Sequence, residues 1–123
     1  MTGTDQDVRF TAVDDIASFA EYEDGRVKPA TVLKSTGANV VVFAFDAGTE
    51  LREHHATGPV LLQVLEGAVT VTVDGQDIPL APGALLHIEP KVPHSVQAAE
   101  RARLQLSVLM IDSPGESQVP LAD

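Results

Sequence analysis

The sequence predicts a single all-β domain, a barrel or sandwich of short antiparallel strands. Three observations carry this. The stretch VTVTV (69–73) alternates valine and threonine, the period of a strand with one face in a core. Asp74-Gly75 follows it directly, the dipeptide that tight hairpins favour. Short apolar runs then recur along most of the chain at regular spacing, separated by Gly, Pro and Asp turns.

The elements follow in order. The first 12 residues are polar and are expected to be loose. VDDIASFAEY (13–22) places Ile16, Phe19 and Ala20 at helical spacing, with Asp14 or Asp15 as N-cap, and predicts a short helix ending near Asp24-Gly25. VKPATVLKS (27–35) reads as an edge strand, because Pro29 has no N–H to give to a ladder. ANVVVFAFDAG (38–48) reads as a buried strand closed by a turn, and VLLQVLEG (60–67) and AVTVTVDG (68–75) as further strands. QDIPLAPG (76–83) is a short strand and turn, and ALLHIEP (84–90) a strand stopped by Pro90 and Pro93. HSVQAA (94–99) and RARLQLSVLMI (101–111) complete the series, and DSPGESQVPLAD (112–123) is expected to be an extended or disordered tail. The expected organisation is a flexible start (1–12), a helix and edge strand (13–36), a barrel (37–111) and the tail.

Composition excludes several functions. The 123 residues are 44% hydrophobic but 4% aromatic and lack tryptophan, so the core must be built from Val, Leu, Ile and Ala. A net charge of -10 argues against nucleic acid and anionic lipid as partners. The absence of cysteine removes disulfides, thiolate metal sites and cysteine nucleophiles. The polar, acidic MTGTDQDVRF does not read as a signal peptide, and no apolar run approaches membrane-spanning length, so a cytoplasmic location is expected.

The histidines hold the chemical interest. Gly48 is followed by five residues and then His54, with the wording VLE before Gly67. Gly83 is followed by LLHIEPKVPH, and a segment VTVTVDGQDIPLAPG lies between. In these two motifs, over roughly residues 38 to 109, the chain resembles the cupins, small jelly-roll (double-stranded β-helix) proteins. The resemblance implies a barrel that grips a divalent metal through His-x-His, Glu and a second-motif His. It also implies a homodimer, with the segment through residue 36 as the exchange element. The chain departs from the pattern at four ligand or turn positions and one Asn position. Ala56 stands where the second His would be and Val60 where the Glu would be. Glu89 and Lys91 replace the Pro and Gly of the second motif, and Ala98 its Asn. Of the four ligand positions the resemblance implies, His54 and His94 remain.

Adjacent strand residues point to opposite faces, so His55 is expected to point away from the site unless a bulge turns it inward. Two imidazoles make an incomplete site for Fe, Mn, Ni or Zn. His87, inside the apolar ALLHIEP, and His55 are the further candidate ligands, and Glu89 ends the His87 strand. For each of these the plain alternative is a hydrogen-bonded core or rim histidine. Ala56, Val60, Leu62, Gln63, Val71 and Glu89 are the expected pocket residues, although Gln63 fits equally well packed against a neighbouring sheet or subunit. An apolar cavity with one or two imidazoles suits a small organic ligand. Three functions stay open: a small metalloenzyme with one divalent ion on His54 and His94, a metal-free ligand-binding or sensor protein, and a metal-free enzyme using a histidine as acid or base. No catalytic residue is assigned.

Overall fold

The computed structural model describes residues 9–110, so the stretch 1–8 and the tail expected over 112–123 lie outside the described residues. Among the described residues are nine strands: β1 (Val27–Ser35), β2 (Ala38–Phe45), β3 (Thr49–His54), β4 (Val60–Glu66), β5 (Val69–Val73), β6 (Gln76–Leu80), β7 (Leu85–Ile88), β8 (His94–Ala98) and β9 (Ala102–Leu109). They form two antiparallel sheets, ordered β1-β2-β9-β4-β7 and β3-β8-β5-β6. The all-β expectation holds, and β1 is an edge strand.

Two details differ from expectation. Residues 13–22 do not form an amphipathic α-helix: only a four-residue 3-10 turn, Ile16–Phe19, is present, and Asp15 precedes it in a left-handed conformation with no side-chain cap. Three apolar residues at helical spacing are too few to sustain a helix against the pull of the sheet surface beneath. β3 was not foreseen, because TELREH has no apolar alternation.

Residues paired across an antiparallel ladder share a face. In the five-stranded sheet the inward rows run Phe43–Leu104–Val64 and Val41–Leu106–Leu62–Leu86. In the other sheet they run Leu51–Val96–Val71–Ile78. These rows meet in one core containing Phe45, Leu62, Val71, Val96 and Leu104, all fully buried. At the β5–β6 turn, Asp74 and Gly75 both take positive φ (52° and 80°), as the two-residue hairpin requires.

The outer face of β1 and β2 carries a second, smaller core. Ala20, Val42 and Ala44 are buried there, with Ile16, Tyr22, Ala30, Val32 and Leu65 packed on them. Polar ties hold this N-terminal segment down. The Tyr22 hydroxyl donates to Glu66 Oε2 at 2.5 Å, and Arg103 binds the same oxygen at 2.9 Å while its Nε donates to the Ala20 carbonyl. The guanidinium carbons of Arg101 and Arg103 lie 5.0 and 4.4 Å from the Tyr22 ring centre. Arg101 also pairs with Asp46 at 2.9 Å, whose other oxygen accepts the Gly25 N–H. Glu66 therefore anchors the N-terminal segment.

Burial and the Glu66 carboxylate push the Tyr22 phenol up to about 12. Tyr22 is the single tyrosine and there is no tryptophan, so ultraviolet titration reads this phenol alone. The expected midpoint lies near 12 in the wild type and moves down in Glu66→Gln. Because the folded value exceeds the ordinary 10.0, this tie stabilises the fold fully below pH 10 and is lost as pH rises through the folded value.

Candidate metal and ligand site

The site is built by a bulge. Leu51 pairs with Val96 and His54 with His94, so three steps on β3 match two on β8. Parity alone would send His54 to the face opposite Leu51. The extra residue at Arg52–Glu53 restores the phase, and His54 joins Leu51 on the inner face. A bulge was the expected way for His55 to turn inward. Here the bulge turns His54 inward and leaves His55 exposed beyond the strand end.

His54 and His94 are thereby cross-strand neighbours at the end of the four-stranded sheet. Their ring centres are 4.4 Å apart and the planes meet at 62°. His94 is 2% exposed, and it also pairs across β5 with Val73. His54 is half-buried.

The hydrogen bonds fix the chemistry. His54 Nδ1 lies 2.9 Å from the Arg52 carbonyl oxygen, and His94 Nδ1 lies 3.0 Å from that of Val92. A carbonyl only accepts, so each Nδ1 carries the proton, and in the neutral form of the ring Nε2 is then a bare lone pair. This is how metal-ligating imidazoles are commonly held, the far nitrogen donating to a backbone carbonyl. His94 Nε2 is buried and has no hydrogen-bond partner. Such an orphaned atom costs about 1–3 kcal/mol if nothing binds it.

Burial lowers the His94 pKa from its ordinary 6.5. The Val92 carbonyl opposes that shift, and nearby His54 and His55 add to it. With a folded value below the unfolded one, neutral His94 supports the fold fully above pH 6.5, and that support is lost as pH falls through the lower folded value. Urea midpoints of the metal-free protein should therefore drop between pH 7.5 and 5.5 by more than those of His94→Leu.

The other expected site residues are placed as follows. Val60, Leu62 and Val71 are 0–1% exposed and belong to the buried core. Ala56 is half-buried against that core, and its carbonyl accepts the Lys91 N–H at 2.7 Å, joining the loop after His54 to the loop before His94. Lys91 keeps a positive φ of 68°, the conformation suited to the glycine that the resemblance implied there. His87 and Gln63 point away from the core. Val60, Leu62, Leu86 and Ile88 face the core, so Leu61, Gln63 and His87, out of phase with them, face outward, and the last two are exposed. Glu89 is exposed as well. Two open surface depressions, one around Thr70, Pro79 and Gln97 and one around Glu53, Thr72 and Asp74, include neither His54 nor His94.

Two Nε2 atoms without protein partners, one of them buried, on rings 4.4 Å apart have the donor chemistry for a divalent ion. Among the described residues no cluster of three or more His, Asp or Glu could hold a metal. Among the described residues the donor set at this pair is two imidazoles.

A two-sheet antiparallel barrel with paired histidines on neighbouring strands at one end is a double-stranded β-helix domain. The chain belongs to the cupin domain family, whose model matches residues 40–112. No curated protein is significantly similar in sequence. Among solved structures it resembles a cupin superfamily protein from Desulfitobacterium hafniense, with TM-score 0.73 and 24% identity over 78% of this chain and 88% of that one. It also resembles an RmlC-like cupin from Desulfovibrio desulfuricans, with TM-score 0.74 and 27% identity over 81% and 97%. A third likeness is an uncharacterized conserved protein with a double-stranded β-helix domain from Klebsiella pneumoniae, with TM-score 0.72 and 17% identity over 81% and 90%.

Proposed function

We propose that this protein is a small-molecule-binding cupin whose His54 and His94 hold one divalent first-row metal at the barrel end. The observation that carries the reading is the orphaned, buried Nε2 of His94, beside a second imidazole held in the same tautomer. The metal would supply Lewis acidity toward an oxygen of the bound molecule. The chain's own part is to present two neutral imidazoles, fix their tautomers through the Arg52 and Val92 carbonyls, and keep water off His94 by burial. No reaction is assigned.

Thermal unfolding with added Mn, Fe(II), Ni or Zn tests the reading. A ligand at about 100 times its Kd adds about 2.7 kcal/mol. A rise in Tm with at least one ion, absent in His54→Ala and His94→Ala, is expected. No rise with any ion contradicts it.

The second reading is a metal-free binding or sensor protein. It draws on Ala56 and Val60, which put no ligating side chain at two of the motif positions. It predicts stabilisation by an organic ligand and indifference to chelators. A homodimer in the cytoplasm belongs to the proposal under both readings. Leu85, 61% exposed on the edge strand β7, lies on the outer face of the larger sheet with half-buried Leu61, and light scattering tests the assembly.

A further inference from the structure

We infer that Asp74-Gly75 is a site of spontaneous isoaspartate formation, and that Asp24-Gly25, the same dipeptide, is shielded from this change by Asp46. These are the two Asp-Gly pairs of the chain, which has no Asn-Gly.

The chemistry needs no metal, oxidant or enzyme. The main-chain nitrogen of the glycine attacks the γ-carbon of the preceding aspartate. The new C–N bond closes a five-membered succinimide, and the hydroxyl of the protonated carboxyl leaves as water with the amide proton. Water then adds back. Addition at the γ-carbonyl restores aspartate. Addition at the α-carbonyl leaves the chain running through the side chain, with a free α-carboxylate and one extra methylene in the backbone. Glycine favours the reaction, because it carries no Cβ to crowd its nitrogen. The nitrogen must be free of hydrogen bonds when it attacks.

Space does not separate the two pairs. All four residues are exposed, both glycines take positive φ (72° at Gly25 and 80° at Gly75), and nothing lies within 4 Å of the Cβ position at either. Hydrogen bonding does separate them. Gly25 N–H donates to Asp46 Oδ2 at 2.6 Å. That bond and the one from Arg101 hold the Asp46 carboxyl below its ordinary range, so the acceptor stays charged. A hydrogen bond to a charged acceptor lowers the population of free N–H about tenfold or more. Arg101 also pairs with Asp24 Oδ1 at 3.2 Å, an exposed contact that adds little.

The β5–β6 turn has neither guard. Val73 pairs with Gln76, and the two residues between them stand outside the ladder. Among the described residues nothing accepts the Gly75 N–H and no cation pairs with Asp74. The change would reach beyond the turn. Val73 is opposite Gln76 on one side and His94 on the other. A two-residue turn fits its strands at one main-chain length, so an added methylene disturbs pairing beside His94.

The test ages native protein, and the same chain unfolded in guanidinium, at neutral pH below the native Tm. Isoaspartate is then counted in tryptic peptides 10–26 and 53–91, labelled with tritiated S-adenosylmethionine by an isoaspartyl methyltransferase. Dividing each native rate by its unfolded rate removes the effect of neighbouring sequence. The expected ratio is about tenfold or more higher for 53–91 than for 10–26. Asp74→Glu should lose the 53–91 signal, because glutamate would have to close a six-membered ring. Asp46→Ala should raise the native rate in 10–26 about tenfold and leave that in 53–91 unchanged, which also shows that the variant stays folded. Equal ratios, a higher ratio for 10–26, or no isoaspartate in native 53–91 overturn the inference. So does a 53–91 signal that survives Asp74→Glu, or a 10–26 rate that Asp46→Ala leaves unchanged.

Discussion

Gly58→Ala is expected to destabilise the fold by about 3 kcal/mol or more, lowering Tm by roughly 10 °C. Gly58 is buried in the loop between β3 and β4. A Cβ there would overlap the Leu109 carbonyl oxygen and stand 3.1 Å from its carbonyl carbon. The obstacle is backbone and has little room to give. Leu109 N–H donates to the Pro59 carbonyl at 2.9 Å, so the end of β9 is tied to the same loop. The strain reaches the site as well, because this loop carries Ala56 and connects His54 to Val60. Denaturant unfolding of the variant checks the stability change. A loss under about 1 kcal/mol would mean that the β9 end and the loop are not held together as described.

Leu62→Ala should cost about 3–5 kcal/mol. Leu62 is fully buried on β4 of the larger sheet, between Leu106 on β9 and Leu86 on β7. Truncation removes methyl groups from a packed interior and leaves a void its neighbours cannot fill. The sequence pattern had suggested Leu62 as a wall of a ligand cavity. A wall residue facing open space would lose much less, so urea unfolding separates the two placements. A cost below about 1.5 kcal/mol would restore the cavity reading.

Much of the barrel was legible in the sequence, and the reasons are physical. Period-two alternation marks a strand with one buried face, and Val69–Val73 shows it cleanly, with Asp74-Gly75 fixing the register of the next strand. Proline placed β1 at an edge. β3 stayed hidden because TELREH lies at the margin of the barrel, where the inner face is only half-buried and carries a single large apolar residue, Leu51. The expected helix failed because only Ile16 and Ala20 of its three apolar residues pack on the outer face of the sheet, while Phe19 is 44% exposed, and a single 3-10 turn with an extended segment suffices for that.

The pairing of His54 with His94 followed from motif spacing, but the bulge that makes it possible did not. An extra residue leaves no mark in composition or periodicity, only a shift of phase between Leu51 and His54. His87 misled for a related reason. A histidine within an apolar run looks buried, yet the run ALLHIEP belongs to an edge strand whose outward positions, Leu85 included, are exposed. The tautomers of the histidines could not be read from sequence at all, since they depend on main-chain carbonyls brought near by the bulge and by the loop before β8.

The most direct test of the central claim is metal content. Wild type, His54→Ala and His94→Ala would be loaded separately with Fe(II), Mn, Ni and Zn, dialysed, and analysed for metal per chain. The proposal predicts near one equivalent of at least one ion in the wild type and its loss in both variants. Metal retained equally in either variant, or none in the wild type under any loading, would contradict it.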